Sequence, residues 1–150
     1  MKRLMNLFRS IAWFILKKQI RRQFSTVQQL NTKTLADWLE TGESKIQLID
    51  TRKEEEFLVS HLPKAQHIPD LETAQANLDP TITIVAYCSV GYRSSKLAEQ
   101  LHQLGYDQVW NLEGSIFQWV NEGRTVIQNG QPTQQVHPYS EKWKLLLNNY

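Results

Sequence analysis

The stretch Thr81-Ile82-Thr83-Ile84-Val85-Ala86-Tyr87 limits the possible folds more than any other. It is β-branched and apolar almost throughout, which fits a strand covered on both faces, as in a parallel sheet. Parallel strands need crossover connections, usually helical. The rest of the chain supplies them. Strands are expected over residues 27–30, 46–50, 65–68 and 109–112. Helices are expected between them: 33–40, capped by Thr32 and ended by Gly42, then 54–59, 71–78, 94–104 and 115–121. This alternation predicts an α/β fold with a central parallel sheet and helices on both faces. In such sheets ligands bind at the carboxyl ends of the strands.

Two segments stand outside that rhythm. Residues 1–22 carry seven basic side chains and no acidic one, while the remainder holds ten basic and fifteen acidic groups. Leu4, Leu7, Phe8, Ile11 and Ile15 fall on one side of a helix, and Lys2, Arg9 and Lys17 on the other. The charge-free run from Ser10 to Leu16 is far short of the ~20 residues a spanning helix needs. A basic amphipathic N-terminal helix lying on an anionic membrane surface is expected, with packing on the domain or a partner as the alternative. Lys-Lys-Gln-Ile-Arg-Arg after Leu16 lacks the small residues of a signal-peptide cleavage site, and its charge favours the cytoplasmic side. A linker is expected over residues 21–25. Residues 124–150, punctuated by Gly130, Pro132 and Pro138, read as a C-terminal extension that packs back on the domain. A last helix is expected over 142–147. The division is thus 1–22, 23–123 and 124–150.

The one cysteine, Cys88, directly follows the central strand. It excludes an internal disulfide and a cysteine-rich metal site. A lone cysteine at a strand end is ordinarily a buried hydrophobe. Here Ser89, Val90, Gly91, Tyr92, Arg93 and Ser94 follow before the next helix. Amide dipoles in such a loop, with the positive end of the helix, favour the thiolate, the reactive form of the sulfur. Gly91 permits a positive φ, Arg93 offers a fork for an oxyanion, and Ser94 can cap the helix. Asp50 and Arg52, at the end of an earlier strand, are read as an ion pair bracing the loop, with Glu56 spaced to join Arg52. His61 and His67 are read as turn hydrogen-bonders, and Trp38, Trp110 and Trp119 as core or sheet-edge residues. No metal or organic cofactor is expected.

Four stretches resemble the rhodanese family, in order and spacing. Leu48-Ile49-Asp50-Thr51-Arg52-Lys53-Glu54-Glu55-Glu56-Phe57 resembles its opening signature. Ser60-His61-Leu62-Pro63-Lys64-Ala65-Gln66-His67-Ile68-Pro69 resembles its Gly-His-Ile-Pro-Gly-Ala signature. Cys88 to Ser94 resembles its active loop, and Leu112-Glu113-Gly114-Ser115-Ile116-Phe117-Gln118-Trp119 its closing signature. Ser60, Lys64 and Ser115 stand where the family usually has glycine.

The resemblance implies a single-domain sulfurtransferase. Cys88 takes the outer sulfur of a donor such as thiosulfate, holds it as a persulfide and passes it to a thiol or cyanide. The backbone of Ser89 to Ser94 cradles the anion, and Arg93 holds the donor's oxyanion. Phosphatases of related fold place five residues between cysteine and arginine, whereas four stand between Cys88 and Arg93. A membrane-associated binding or scaffold module without turnover is the alternative. No nucleic-acid partner is expected, since no aromatic stacking platform or recognised motif accompanies the basic head.

Overall fold

Five parallel strands form one sheet: β1 (Gln28–Leu30), β2 (Ile46–Asp50), β3 (Gln66–His67), β4 (Thr83–Tyr87) and β5 (Val109–Leu112). The computed structural model describes residues 1–42 and 45–150. The sheet order is β1-β5-β4-β2-β3, so the most apolar strand is the central one. Period-two alternation divides its side chains between two layers. Leu48, Val85 and Tyr87 enter one layer, with Leu35 of α2 (Thr32–Thr41) and Ile116 and Phe117 of α6 (Ser115–Asn121). Ile49, Ile84 and Ala86 enter the other, with Ala74 of α4 (Leu71–Asn77) and Leu97 and Leu101 of α5 (Tyr92–Gln103). A parallel α/β sheet with helices on both faces is thereby confirmed.

Local chemistry moved two helix starts. The cap of α2 is Asn31, whose side chain accepts from Thr34 N at 2.8 Å. The hydroxyl of Thr32, the expected cap, instead donates to the Glu122 carboxylate. α5 begins at Tyr92, capped by Gly91, which frees the Ser94 hydroxyl from capping.

α1 (Lys2–Gln23) runs through most of the expected linker. Its final residues are good helix formers, and Arg21 and Arg22 suit the negative end of the helix dipole. The helix has two halves of different character. Ile20 is buried in the second layer, Leu16 packs against both layers, and Trp13 against the first. Arg21 holds Glu113 at 2.6 Å. Nearer the N-terminus, Leu4, Leu7, Phe8, Ile11, Phe14 and Ile15 are exposed.

The extension contains a hairpin of β6 (Val126–Gln128) and β7 (Gln131–Thr133), then the short α7 (Glu141–Lys144). Leu146 and Leu147, expected in that last helix, lie beyond it, buried in the first layer. The tail also meets the head: Arg9 Nε donates to Leu145 O at 3.0 Å, and Trp13 Nε1 to Leu146 O at 3.3 Å.

Candidate functional site

Cys88 leaves the carboxyl end of β4, and its loop is pinned from α6. Cys88 N donates to Ser115 Oγ at 3.2 Å, and the carbonyls of Cys88 and Ser89 accept from Ile116 N and Phe117 N. Gly91 turns the chain at φ +112°. A Cβ there would stand 3.1 Å from Asn111 Nδ2 and in a backbone region that other residues avoid. The turn brings Gly91 N to 3.2 Å from Cys88 Sγ. Ser94 Oγ lies 3.3 Å from the same sulfur, from the first turn of α5.

Ser94 is itself held. Its Oγ lies 2.5 Å from Asn111 Oδ1, and Asn111 Nδ2 donates to Gln29 Oε1 at 2.7 Å, which fixes the amide's orientation. The hydroxyl can therefore accept from a thiol while donating to Asn111, or donate to a thiolate. Sγ is almost fully covered, yet Cys88 lines a cavity of about 290 Å3. Ser89 and Val90 complete the floor and Tyr92 and Arg93 one wall. Leu16 of α1 and Tyr139 and Trp143 of the extension close it. A larger groove between α1 and α6 is lined by Arg9, Trp13, Lys17 and Gln118 and does not include Cys88.

Arg93 is not free to act as an oxyanion fork. Its Nη1 and Nη2 donate to Glu56 Oε2 and Oε1 at 2.7 and 2.9 Å, and Nη2 also reaches Ser89 Oγ at 2.8 Å. The Tyr139 ring lies 4.6 Å from the guanidinium. Burial works against the charge of Arg93, but the Glu56 hydrogen bonds and the nearby Cys88 outweigh it and hold the guanidinium protonated. Burial likewise pushes the Glu56 carboxyl up, and Arg93 more than reverses this, leaving it below the usual glutamate range. The expected Glu56–Arg52 pair is corrected accordingly. In α3 (Glu54–Val59), Glu54 and Glu55 face solvent while Glu56 turns inward and meets the Arg93 guanidinium at 2.7 Å.

Arg52 pairs with Asp50 instead, with both side chains wholly buried. Nη2 donates to Asp50 Oδ2 at 2.7 Å and to Ser60 O at 2.6 Å. The Tyr87 hydroxyl donates to the same carboxylate at 2.7 Å and accepts from Leu62 N. Burial and the Asp50 charge push the Tyr87 phenol far up, so it stays a donor. This network clamps the end of β4, one residue before Cys88. His61 and His67 donate to the carbonyls of Leu62 and Arg52, and both rings stack on Phe57. Trp119 is buried, and Trp38 and Trp110 are half-buried against the first layer.

The three glycine departures differ in consequence. Ser60 is extended, at φ −170°, which any residue adopts. Lys64 and Ser115 sit at φ +65° and +50°, where glycine is favoured. Ser115 gains a function there, because its hydroxyl accepts from Cys88 N and donates to Leu112 O.

A strand-end cysteine on a clamped parallel sheet, cradled by a glycine turn and a helix start, defines a rhodanese-like site. The model of the rhodanese-like domain matches residues 31–122, and the chain belongs to that family. That family match and a relative named as a sulfurtransferase support a sulfurtransferase-type domain. It is 31% identical to a Bacillus subtilis protein named as a candidate sulfurtransferase, YtwF, over 69% of this chain and 98% of that one. Among solved structures, a rhodanese-like domain protein of Staphylococcus aureus is 31% identical, with a TM-score of 0.57, covering 69% of this chain and 99% of that one. The BH2092 protein of Bacillus halodurans shares the fold at 23% identity, with a TM-score of 0.68, covering 84% of this chain and 94% of that one.

Proposed function

We propose that this protein carries sulfane sulfur as a persulfide on Cys88. The supporting observation is the sulfur itself: it receives Gly91 N–H and faces the Ser94 hydroxyl at the floor of a cavity. The Cys88 thiolate attacks the outer sulfur of a donor such as thiosulfate. The donor's S–S bond breaks and its electron pair leaves with the remainder. A thiol or cyanide then attacks the outer sulfur of the persulfide and regenerates the thiolate. Two displacements of low barrier replace one of high barrier. Gly91 N–H stabilises the anionic sulfur at both ends of the cycle, and Ser94 follows its changes of protonation.

The test is intact mass after incubation with thiosulfate and, separately, with inorganic polysulfide. A mass gain of one sulfur atom is expected with at least one donor, cyanide should remove it, and Cys88→Ala should never acquire it. A folded protein that gains no sulfur from either of these donors or from an organic persulfide would sink the reading.

The exposed apolar row and basic flank of α1 support attachment to an anionic membrane surface as part of the same reading. Among the described residues no helix is long and apolar enough to cross a membrane.

A further inference from the structure

We propose that the cavity over Cys88 selects an apolar organic persulfide, R–S–SH, in preference to an inorganic dianion such as thiosulfate. This rests on the sulfur-carrier reading and narrows its substrate class. The closing walls, Leu16, Tyr139 and Trp143, all lie outside residues 31–122, the part matched to the family. They are held in place rather than draped. The head and tail that carry them are joined by the Arg9–Leu145 and Trp13–Leu146 hydrogen bonds, and Ser140 caps the turn that presents Trp143.

Charge argues in the same direction. Among the described residues Arg93 is the one cation lining the cavity, and its charge is already matched by Glu56 while the Tyr139 ring covers its face. A dianion would shed its water and meet no unmatched positive charge, a costly transfer. A neutral persulfide carries no such cost, and its R group gains by leaving water for Leu16, Val90 and Trp143. The cavity of about 290 Å3 has room for a ring-sized substituent.

The step balances without an added oxidant or reductant. Cys88 Sγ⁻ forms a bond to the terminal sulfur of R–S–SH, the donor S–S bond breaks, and its electron pair leaves as R–S⁻. The proton stays on the transferred sulfur, giving Cys88 Sγ–SH. The cysteine sulfur is oxidised as the donor sulfur is reduced.

The experiment compares the rate of Cys88 sulfur loading, by intact mass, from benzyl persulfide released in situ, glutathione persulfide and thiosulfate at equal concentration. Loading from benzyl persulfide is expected to exceed each of the other two by at least about tenfold. In Trp143→Ala and Tyr139→Ala, checked for fold by circular dichroism, that ratio is expected to fall at least about threefold. Thiosulfate loading as fast as benzyl persulfide in the intact protein overturns the proposal and leaves sulfur transfer standing. Equal acceleration of all three donors in both variants also overturns it, because the walls would then be a barrier rather than a binding surface. Loading from none of the donors overturns both readings.

Discussion

The guanidinium of Arg93 and the carboxylate of Glu56 face each other through two hydrogen bonds of 2.7 and 2.9 Å, at the wall of the cavity that holds Cys88. Glu56 is almost wholly buried, whereas Arg93 keeps about a third of its side chain in solvent. Geometrically the pair is a bidentate fork, the strong form of such contacts. It converts the loop's one permanent positive charge into an internal neutral unit.

That pairing gives stability a definite pH dependence. Burial raises the Glu56 carboxyl, and the Arg93 hydrogen bonds and charge bring it below the usual range. The folded state therefore binds this proton less readily than the unfolded chain. The contribution is complete above the unfolded value of about 4.3 and is lost as pH falls through the lower folded value. Thermal melts from pH 7 downward should show an acid-side loss of stability that is shallower in Glu56→Gln. Asp70 and Asp79 are also held low by their Thr73 and Thr81 hydrogen bonds, but they are common to both proteins and cancel in the difference. Identical acid slopes would mean that the Glu56–Arg93 pair does not couple to folding.

The buried Asp50–Arg52 pair supports the strand that presents Cys88. Removing the cation strands a carboxylate that, among the described residues, the Tyr87 hydroxyl and the Arg52 amide still serve. Loss of one partner from such a pair costs about 3–5 kcal/mol. Arg52→Met is therefore expected to lower the urea-unfolding free energy by roughly that amount. A loss under about 1 kcal/mol would show that the carboxylate relaxes to water and that the clamp is dispensable.

Ser115 tests whether a departure from the family pattern is paid back locally. Its φ of +50° carries a strain of about 1–2 kcal/mol that glycine would relieve. Its hydroxyl makes two hydrogen bonds, to Cys88 N and Leu112 O, worth about 1 kcal/mol each. The opposing terms nearly cancel, so Ser115→Gly should change stability by less than about 1 kcal/mol. Its effect should appear at the sulfur. Freed of the hydroxyl, Cys88 N no longer has a fixed partner, and loading from a sulfane donor should slow by several-fold. Unchanged loading would reduce Ser115 to a tolerated replacement.

Much of this was legible in the sequence because it is locally encoded. The apolar run into Cys88 announced the central strand, and strand–helix alternation announced the sheet. Features dependent on distant partners were not legible. Glu56 has Arg52 at helical spacing, and nothing in the chain says that Arg93, much later, competes for it and wins. Ser94 looked like a cap because serines before helices usually are, yet Gly91 already turns the chain. Asn111 and Gln29 come together only through the pairing of β1 with β5. One miss did have a signal: Asn129-Gly130, with both residues at positive φ, joins β6 to β7, and Asn-Gly is a strong hairpin marker. The closing walls from Leu16, Tyr139 and Trp143 had none, since apolar residues in a head and a tail do not reveal that they meet over the nucleophile.

The outer half of α1 carries the final prediction. Phe8 and Phe14 are 64% and 67% exposed, among neighbouring exposed leucines and isoleucines. Leaving this row in water is unfavourable by about 25 cal/mol for each Å2 of apolar surface. The flanking lysines and arginines add attraction to anionic headgroups, which salt weakens. The full chain should therefore sediment with vesicles containing phosphatidylserine at low ionic strength and less so as salt rises. Phe8→Glu with Phe14→Glu should weaken this by at least about tenfold, because each change removes a large apolar contact and adds a repelled charge. Ile20 and Trp13 still anchor the helix to the domain, so circular dichroism of the double variant should match the parent. A parent chain that stays in the supernatant at low salt would leave the apolar row to a protein partner instead of lipid.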